Sequence, residues 1–120
     1  MNLAAANAIG SAERRLSVRV AELVYERLPE LEQRYGAAGR FRCEEDTALH
    51  LRFVASAVAT GEPRIIADYL TWLAPLLERF GVPASDVDAN FDAIGEALRE
   101  LVPDAAAAYA QLLAEVRRGR

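Results

Sequence analysis

Apolar residues recur along the chain at three- and four-residue spacing, and no stretch alternates as a strand would. The pattern predicts helices throughout. Asn2 to Asn7 makes a short opening turn that ends near Gly10. A helix then runs from Ser11 to about Leu28, with Leu16, Val20, Leu23 and Leu28 on one stripe. Pro29 suits the first turn of a short helix to Tyr35, and Gly36 and Gly39 supply a flexible link. A central helix begins near Arg42 and stops at a Gly61 C-cap, with Leu49, Phe53, Ala57 and Val58 as its core stripe. Pro63 opens the next helix, which runs to Gly81. Ile65, Ile66, Tyr69, Leu73, Leu76 and Phe80 face inward, and Pro75 introduces a kink. Ser85 is the expected N-cap of a helix carrying Val87, Phe91, Ile94 and Leu98. Pro103 starts a last helix with Tyr109, Leu112, Leu113 and Val116.

Helices of these lengths on short links make an all-α single domain over residues 1–120, either a bundle or a globin-like fold. Periodicity leaves both open. The 120 residues suffice for one core, and no apolar run is long enough to span a membrane. No basic-then-apolar leader opens the sequence, and a lone cysteine fits a reducing cytoplasm, so a cytoplasmic protein is expected. Net charge is −4 with no basic block, which argues against nucleic acid as a partner. No Ser-His-Asp set, Gly-rich phosphate loop or multi-ligand metal spacing is present, so enzyme activity is not expected.

Chemistry concentrates in one run, Arg42-Cys43-Glu44-Glu45-Asp46-Thr47-Ala48-Leu49-His50, which holds the only cysteine and the only histidine. Cys43, Asp46 and His50 fall on one helical face. A thiol, a carboxylate and an imidazole would thus point the same way. The bland alternatives are a small buried thiol, a carboxylate answering the helix dipole and a hydrogen-bonded core histidine. Tyr69 and Trp72 on the next helix either pack in the core or stack on a flat ligand.

The segment Arg42 to Gly61, RCEEDTALHLRFVASAVATG, resembles the chromophore helix of the phycobiliproteins, the bilin-binding globin relatives of cyanobacterial antennae. There a C-x-R-D motif opens a helix and is followed by an Arg-aromatic-Val step and a small-residue turn. Cys43 and Asp46 match the cysteine and aspartate. Arg52, Phe53 and Val54 match the step, and Ala57, Val58, Gly61 and Glu62 match the turn. The similarity continues through Ile65, Ile66 and Asp68 to Gly81-Val82-Pro83 and on to about Leu98. The shorter length is more like the bilin biosynthesis-associated globins of non-photosynthetic bacteria.

The resemblance implies a globin-like fold and a tetrapyrrole ligand, foremost a linear, biliverdin-like bilin held by a carrier or sensor. Cys43 would be the thioether position and Asp46 the acceptor of pyrrole N–H groups. Arg42, Phe53, Tyr69 and Trp72 would complete the contacts. The family arginine between cysteine and aspartate is Glu45 here, so the propionates would pass to Arg40, Arg42, Arg52 or Arg64. Glu44 and Glu45 work against a thiolate at Cys43. His50 stands where the antenna proteins carry an aliphatic residue, and it keeps haem or cobalamin open as ligands, with His50 as the axial metal ligand. A ligand-free interaction module is the third reading. A homodimer is expected, because Val18, Val24 and Tyr25 lie beside the main stripe of the first long helix and phycobiliproteins associate through their N-terminal helices. Bilin-metabolising enzymes are the expected protein partners.

Overall fold

The computed structural model describes residues 2–119, and Met1 and Arg120 of the expected domain lie outside them. Six helices follow one another without a strand among the described residues: α1 Leu3–Ser11, α2 Glu13–Arg27, α3 Glu30–Thr60, α4 Pro63–Arg79, α5 Ala84–Leu101 and α6 Pro103–Arg118. Local chemistry explains most of the boundaries. Asn2 caps α1 by accepting from the Ala5 amide at 3.1 Å, so the opening turn is a full helix. Pro63 and Pro103 occupy first-turn positions, where a missing N–H costs nothing. Gly61 ends α3 in the left-handed conformation (φ 74°) that only glycine adopts freely.

The α4–α5 turn, Gly81-Val82-Pro83, is likewise set by a positive-φ glycine, Gly81 (φ 84°). The Val82 amide reaches back to the Leu77 carbonyl at 2.9 Å, which is the long-reach bond of a Schellman turn. Ser85 is not the N-cap of α5. Pro83 holds the cap position, extended at ψ 158°, and Ser85 is exposed inside the first turn. The Gly36–Gly39 link is also shorter than expected. Gly36 alone breaks the helix (φ 67°, ψ −162°), and residues 37–60 continue as α-helix. Gly39 is helical, and a Cβ there would sit 2.9 Å from the Tyr25 hydroxyl. α4 runs on through Pro75, whose ring lies on the exposed side.

α3 packs against α1, α2, α4 and α6, while α5 packs against α2 and α6. Ile9, Leu16, Val20, Leu51, Val54, Ile66, Phe91, Ile94, Leu98 and Tyr109 fill the core. Tyr109 buries its ring beside Gly95 and donates its hydroxyl to the Phe91 carbonyl at 2.7 Å. Val24 and Tyr25 are buried inside the molecule and Val18 is half-buried. The apolar surplus on α2 is therefore mostly spent within the chain.

The core stripe of α3 is rotated from the expected one. Ala57 and Val58 are buried as read, but Leu49 and Phe53 are 39% and 37% exposed, and Thr47, His50, Leu51 and Val54 take the inner face. Two polar side chains displace two large apolar ones because both find partners inside. Phe80 also departs from its inward reading, at 70% exposed. It is the C-cap of α4 and stands clear of the packed face. Among the described residues, no helix is long and apolar enough to cross a membrane.

Candidate functional site

The break at Gly36 lets the first turns of α3 swing away from its long second part. The space left is a cavity of about 280 Å³. Val24 and Tyr25 of α2, Leu31 and Tyr35 of early α3, and Leu77 and Phe80 of the α4 end form three walls. Val82 and the α5 residues Asp86, Val87 and Asn90 form another. The last wall is the polar stripe of α3: Arg42, Cys43, Asp46 and His50. Tyr35 donates its hydroxyl to the Gly81 carbonyl at 2.8 Å and Arg34 pairs with Asp86 at 3.4 Å, so the short first part of α3 is pinned to the α4–α5 turn. Arg42 and Phe80 are exposed and mark the mouth.

Each group on the stripe has a distinct state. Cys43 is half-buried, and its thiol is pushed up to about 11 by burial, with the charges of Asp46 and Glu44 adding to the effect. It is a neutral thiol at pH 7. Asn90 donates to its sulfur at 3.8 Å and accepts the Thr47 hydroxyl at 3.4 Å. The Asp46 carboxyl is held above the usual carboxylate range, first by burial, with Arg42 opposing and Glu45 adding to the rise. No hydrogen bond or ion pair from a described residue reaches its oxygens. It is therefore a half-buried acceptor on the polar stripe of a cavity whose other walls are largely apolar.

His50 is 2% exposed, and burial lowers it to about 4, so the ring is neutral. Its Nδ1 lies 2.6 Å from the Tyr69 hydroxyl, and its ring is 5.1 Å from that of Phe91. Among the described residues no enclosed side-chain nitrogen or oxygen lacks a partner. Nε2 has no hydrogen-bond partner among the described residues and so is not fully enclosed, and His50 is one of the residues that line the cavity.

Four of the seven residues expected from the sequence, Arg42, Cys43, Asp46 and His50, are thus brought together. Phe53, Tyr69 and Trp72 lie outside the cavity lining. Phe53 and Tyr69 stack at 4.0 Å between ring centroids, nearly parallel, and Trp72 follows at 6.1 Å, 58% exposed. Tyr69 joins the two groups, with its ring among the aromatics and its hydroxyl on His50. At this point Tyr69 itself fills the space between α3 and α4. The space opens instead toward α2 and α5.

Of the arginines weighed for acidic side chains, Arg42 alone lines the cavity. Arg52 pairs with Glu13 at 3.1 Å, Arg40 lies over the Tyr25 ring, and Arg64 borders a separate cleft. Sequence reasoning missed Tyr25, Tyr35 and Asn90 as wall residues. Asn90 carried a weak signal, being a polar residue between Val87 and Phe91 on the core side of its helix.

No curated protein and no solved structure matches the chain. A family model described as "Phycobilisome protein" does, over residues 1–118. That match takes in nearly all of an all-helical chain whose polar cavity stripe is built on Cys43 and Asp46. The protein therefore belongs to the phycobilisome protein family, whose members are globin-like and bind bilins.

Proposed function

We propose that this chain is a non-enzymatic carrier or sensor that holds a linear, biliverdin-like bilin without a covalent bond. The observation that carries the reading is Asp46, a half-buried carboxyl in the cavity wall with no hydrogen bond from the described residues. Such a group is satisfied by N–H donors from a ligand, and the pyrrole N–H groups of a bilin converge in the way one carboxylate accepts. The other residues fit the same ligand. Leu31, Leu77, Val82 and Val87 offer apolar contact to pyrrole faces, and Arg42 stands at the mouth where a propionate would meet it.

The cavity of about 280 Å³ lies just below the usual range of ligand sites, about 300–1,000 Å³. It would take part of a bilin and leave the rest at the mouth beside Phe80. The neutral Cys43 thiol favours non-covalent holding, since the thiolate is the nucleophile that thioether formation needs.

A second reading, haem or cobalamin with His50 as axial ligand, is favoured by one observation, a cavity-lining histidine whose Nε2 has no partner among the described residues. Absorbance titration with biliverdin, haemin and adenosylcobalamin separates the two. A red-shifted bilin band that is lost in Asp46→Ala supports the carrier. A Soret or cobalt band shift lost in His50→Ala supports the metal macrocycle. No change with any of the three sinks both and leaves an interaction module.

A further inference from the structure

We propose that Tyr69 holds His50 as the Nε2–H tautomer, so that the cavity presents a neutral N–H donor to the lactam carbonyl of a terminal pyrrolinone ring and not a bare nitrogen to a metal. The ligand half rests on the bilin reading above. The tautomer does not.

Nδ1 of His50 and the hydroxyl of Tyr69 are 2.6 Å apart, and either could donate. Tyr69 is 4% exposed, its ring is covered by Phe53, and its hydroxyl has no hydrogen-bond partner among the described residues except His50. Asp46 acts on that hydroxyl through its charge, without a hydrogen bond between them. If Nδ1–H donated to the tyrosine oxygen, the tyrosine proton would be left without an acceptor in a buried site. With the tyrosine as donor, its proton goes to Nδ1 and both groups are satisfied. A neutral imidazole that accepts at Nδ1 must carry its own proton at Nε2. That nitrogen has no partner among the described residues and is not fully enclosed, and its residue lines the cavity.

Two consequences separate this site from an axial-ligand site. A histidine that ligates through Nε2 donates its Nδ1–H to an acceptor that fixes the metal-binding tautomer. Here Nδ1 is instead the acceptor. The wall also becomes complementary in sign: His50 donates from Nε2, and Asp46, one helical turn away on the same stripe, accepts. A lactam ring carries both halves of that pattern, a carbonyl acceptor and an N–H donor. Haem and cobalamin bring no such terminal lactam on the ring.

The single histidine makes the test direct. Long-range 1H–15N spectra of the uniformly 15N-labelled protein at pH 7 report one imidazole. The expected result is a proton on Nε2 and a bare Nδ1, and the reverse assignment overturns the proposal. Biliverdin and, separately, 2-pyrrolidone are then added as probes. The donor role predicts that both move the Nε2 resonance.

Biliverdin that binds by absorbance yet leaves Nε2 unmoved overturns the donor role while the bilin reading survives. Movement by 2-pyrrolidone with no binding of biliverdin supports the donor and sinks the bilin reading. No response to either probe overturns the ligand half. In affinity, His50→Leu should weaken biliverdin about tenfold, the worth of one hydrogen bond, and His50→Gln, which keeps an N–H donor, should recover part of that loss. Tyr69→Phe should release the tautomer, visible as a fall in the Nε2–H population.

Discussion

Asn90 on α5 crosses the cavity wall to hold the Cys43 thiol of α3, its Nδ2 at 3.8 Å from Sγ, while its Oδ1 takes the hydroxyl of Thr47. One amide thus couples two α3 residues one helical turn apart, Cys43 and Thr47, to α5. A neutral thiol accepts that N–H weakly, and the apolar walls around it keep the thiolate costly. The residue that would carry a thioether is positioned as part of the wall and is not activated.

Cys43 should accordingly react slowly. With the thiol raised to about 11, the thiolate fraction at pH 7 is roughly two orders of magnitude below that of an ordinary cysteine. Alkylation by iodoacetamide, followed by intact mass, should be slow at pH 7 and accelerate through pH 10. Biliverdin incubated with the protein should wash off under denaturing conditions. A mass increase equal to one bilin, surviving denaturation, would show that the thiol is activated after all.

His50 gives the fold a pH dependence of definite sign. Its ring is lowered from about 6.5 to about 4 by burial, so between these values the unfolded chain binds a proton that the folded one refuses. Stability is therefore fully present above pH 6.5 and falls as pH drops toward 4, by about 3 kcal/mol across the window from this group alone. Urea unfolding at pH 7 and pH 4.5 should show a drop in wild type that is much smaller in His50→Gln, which cannot take up a proton. Equal drops in both proteins would assign the acid sensitivity to the carboxylates.

The places where pattern and structure part company have a common cause. The boundaries at Pro63, Gly61 and Pro103 were legible because a single residue's backbone preference decides each one. So was the grouping of Cys43, Asp46 and His50, which follows from helical spacing. The phase of α3 was not. Choosing Thr47 and His50 over Leu49 and Phe53 for the inner face depends on Asn90 and Tyr69, 43 and 19 residues away, and no local count of apolar positions includes them. Tyr25 shows the same limit from the other side. It was visible as surplus apolar surface, but only the break at Gly36 turns that surplus into a cavity wall and not an outer face.

Asp46 should cost stability in the empty protein and be needed in the loaded one. Burial raises its carboxyl, so ionisation is disfavoured in the fold. The unfolded chain gives up the proton first, and stability declines as pH rises from the ordinary aspartate range through the folded value. Asp46→Asn removes that ionisation, so at pH 7 the variant should unfold at a higher urea concentration than wild type. In a biliverdin titration the same variant should bind more weakly and lose the red-shifted band, because its amide supplies only one oxygen acceptor and no charge. A variant that is less stable when empty and unchanged in colour would remove Asp46 from the site.

Gly39 shapes the cavity without offering a ligand any functional group. A Cβ on Gly39 would lie 2.2 Å from the Tyr35 Cβ and 2.9 Å from the Tyr25 hydroxyl. The first of these is too close for any pair of carbon atoms, and Tyr35 is tied to Gly81 by its hydroxyl. Gly39 is in helical conformation, so alanine would otherwise gain about 1 kcal/mol from helix propensity. The clash should reverse that sign and leave Gly39→Ala destabilised by about 1–3 kcal/mol, as overpacking usually does. Relief requires the first turns of α3 to swing on Gly36, which moves Leu31 and Tyr35 relative to the polar stripe. Urea unfolding should give the loss of stability. Biliverdin affinity should fall in parallel, although none of the polar groups has been altered. A Gly39→Ala protein as stable as wild type would mean that the approach of Tyr35 and Tyr25 is looser in solution, and that the break at Gly36 is not fixed by it.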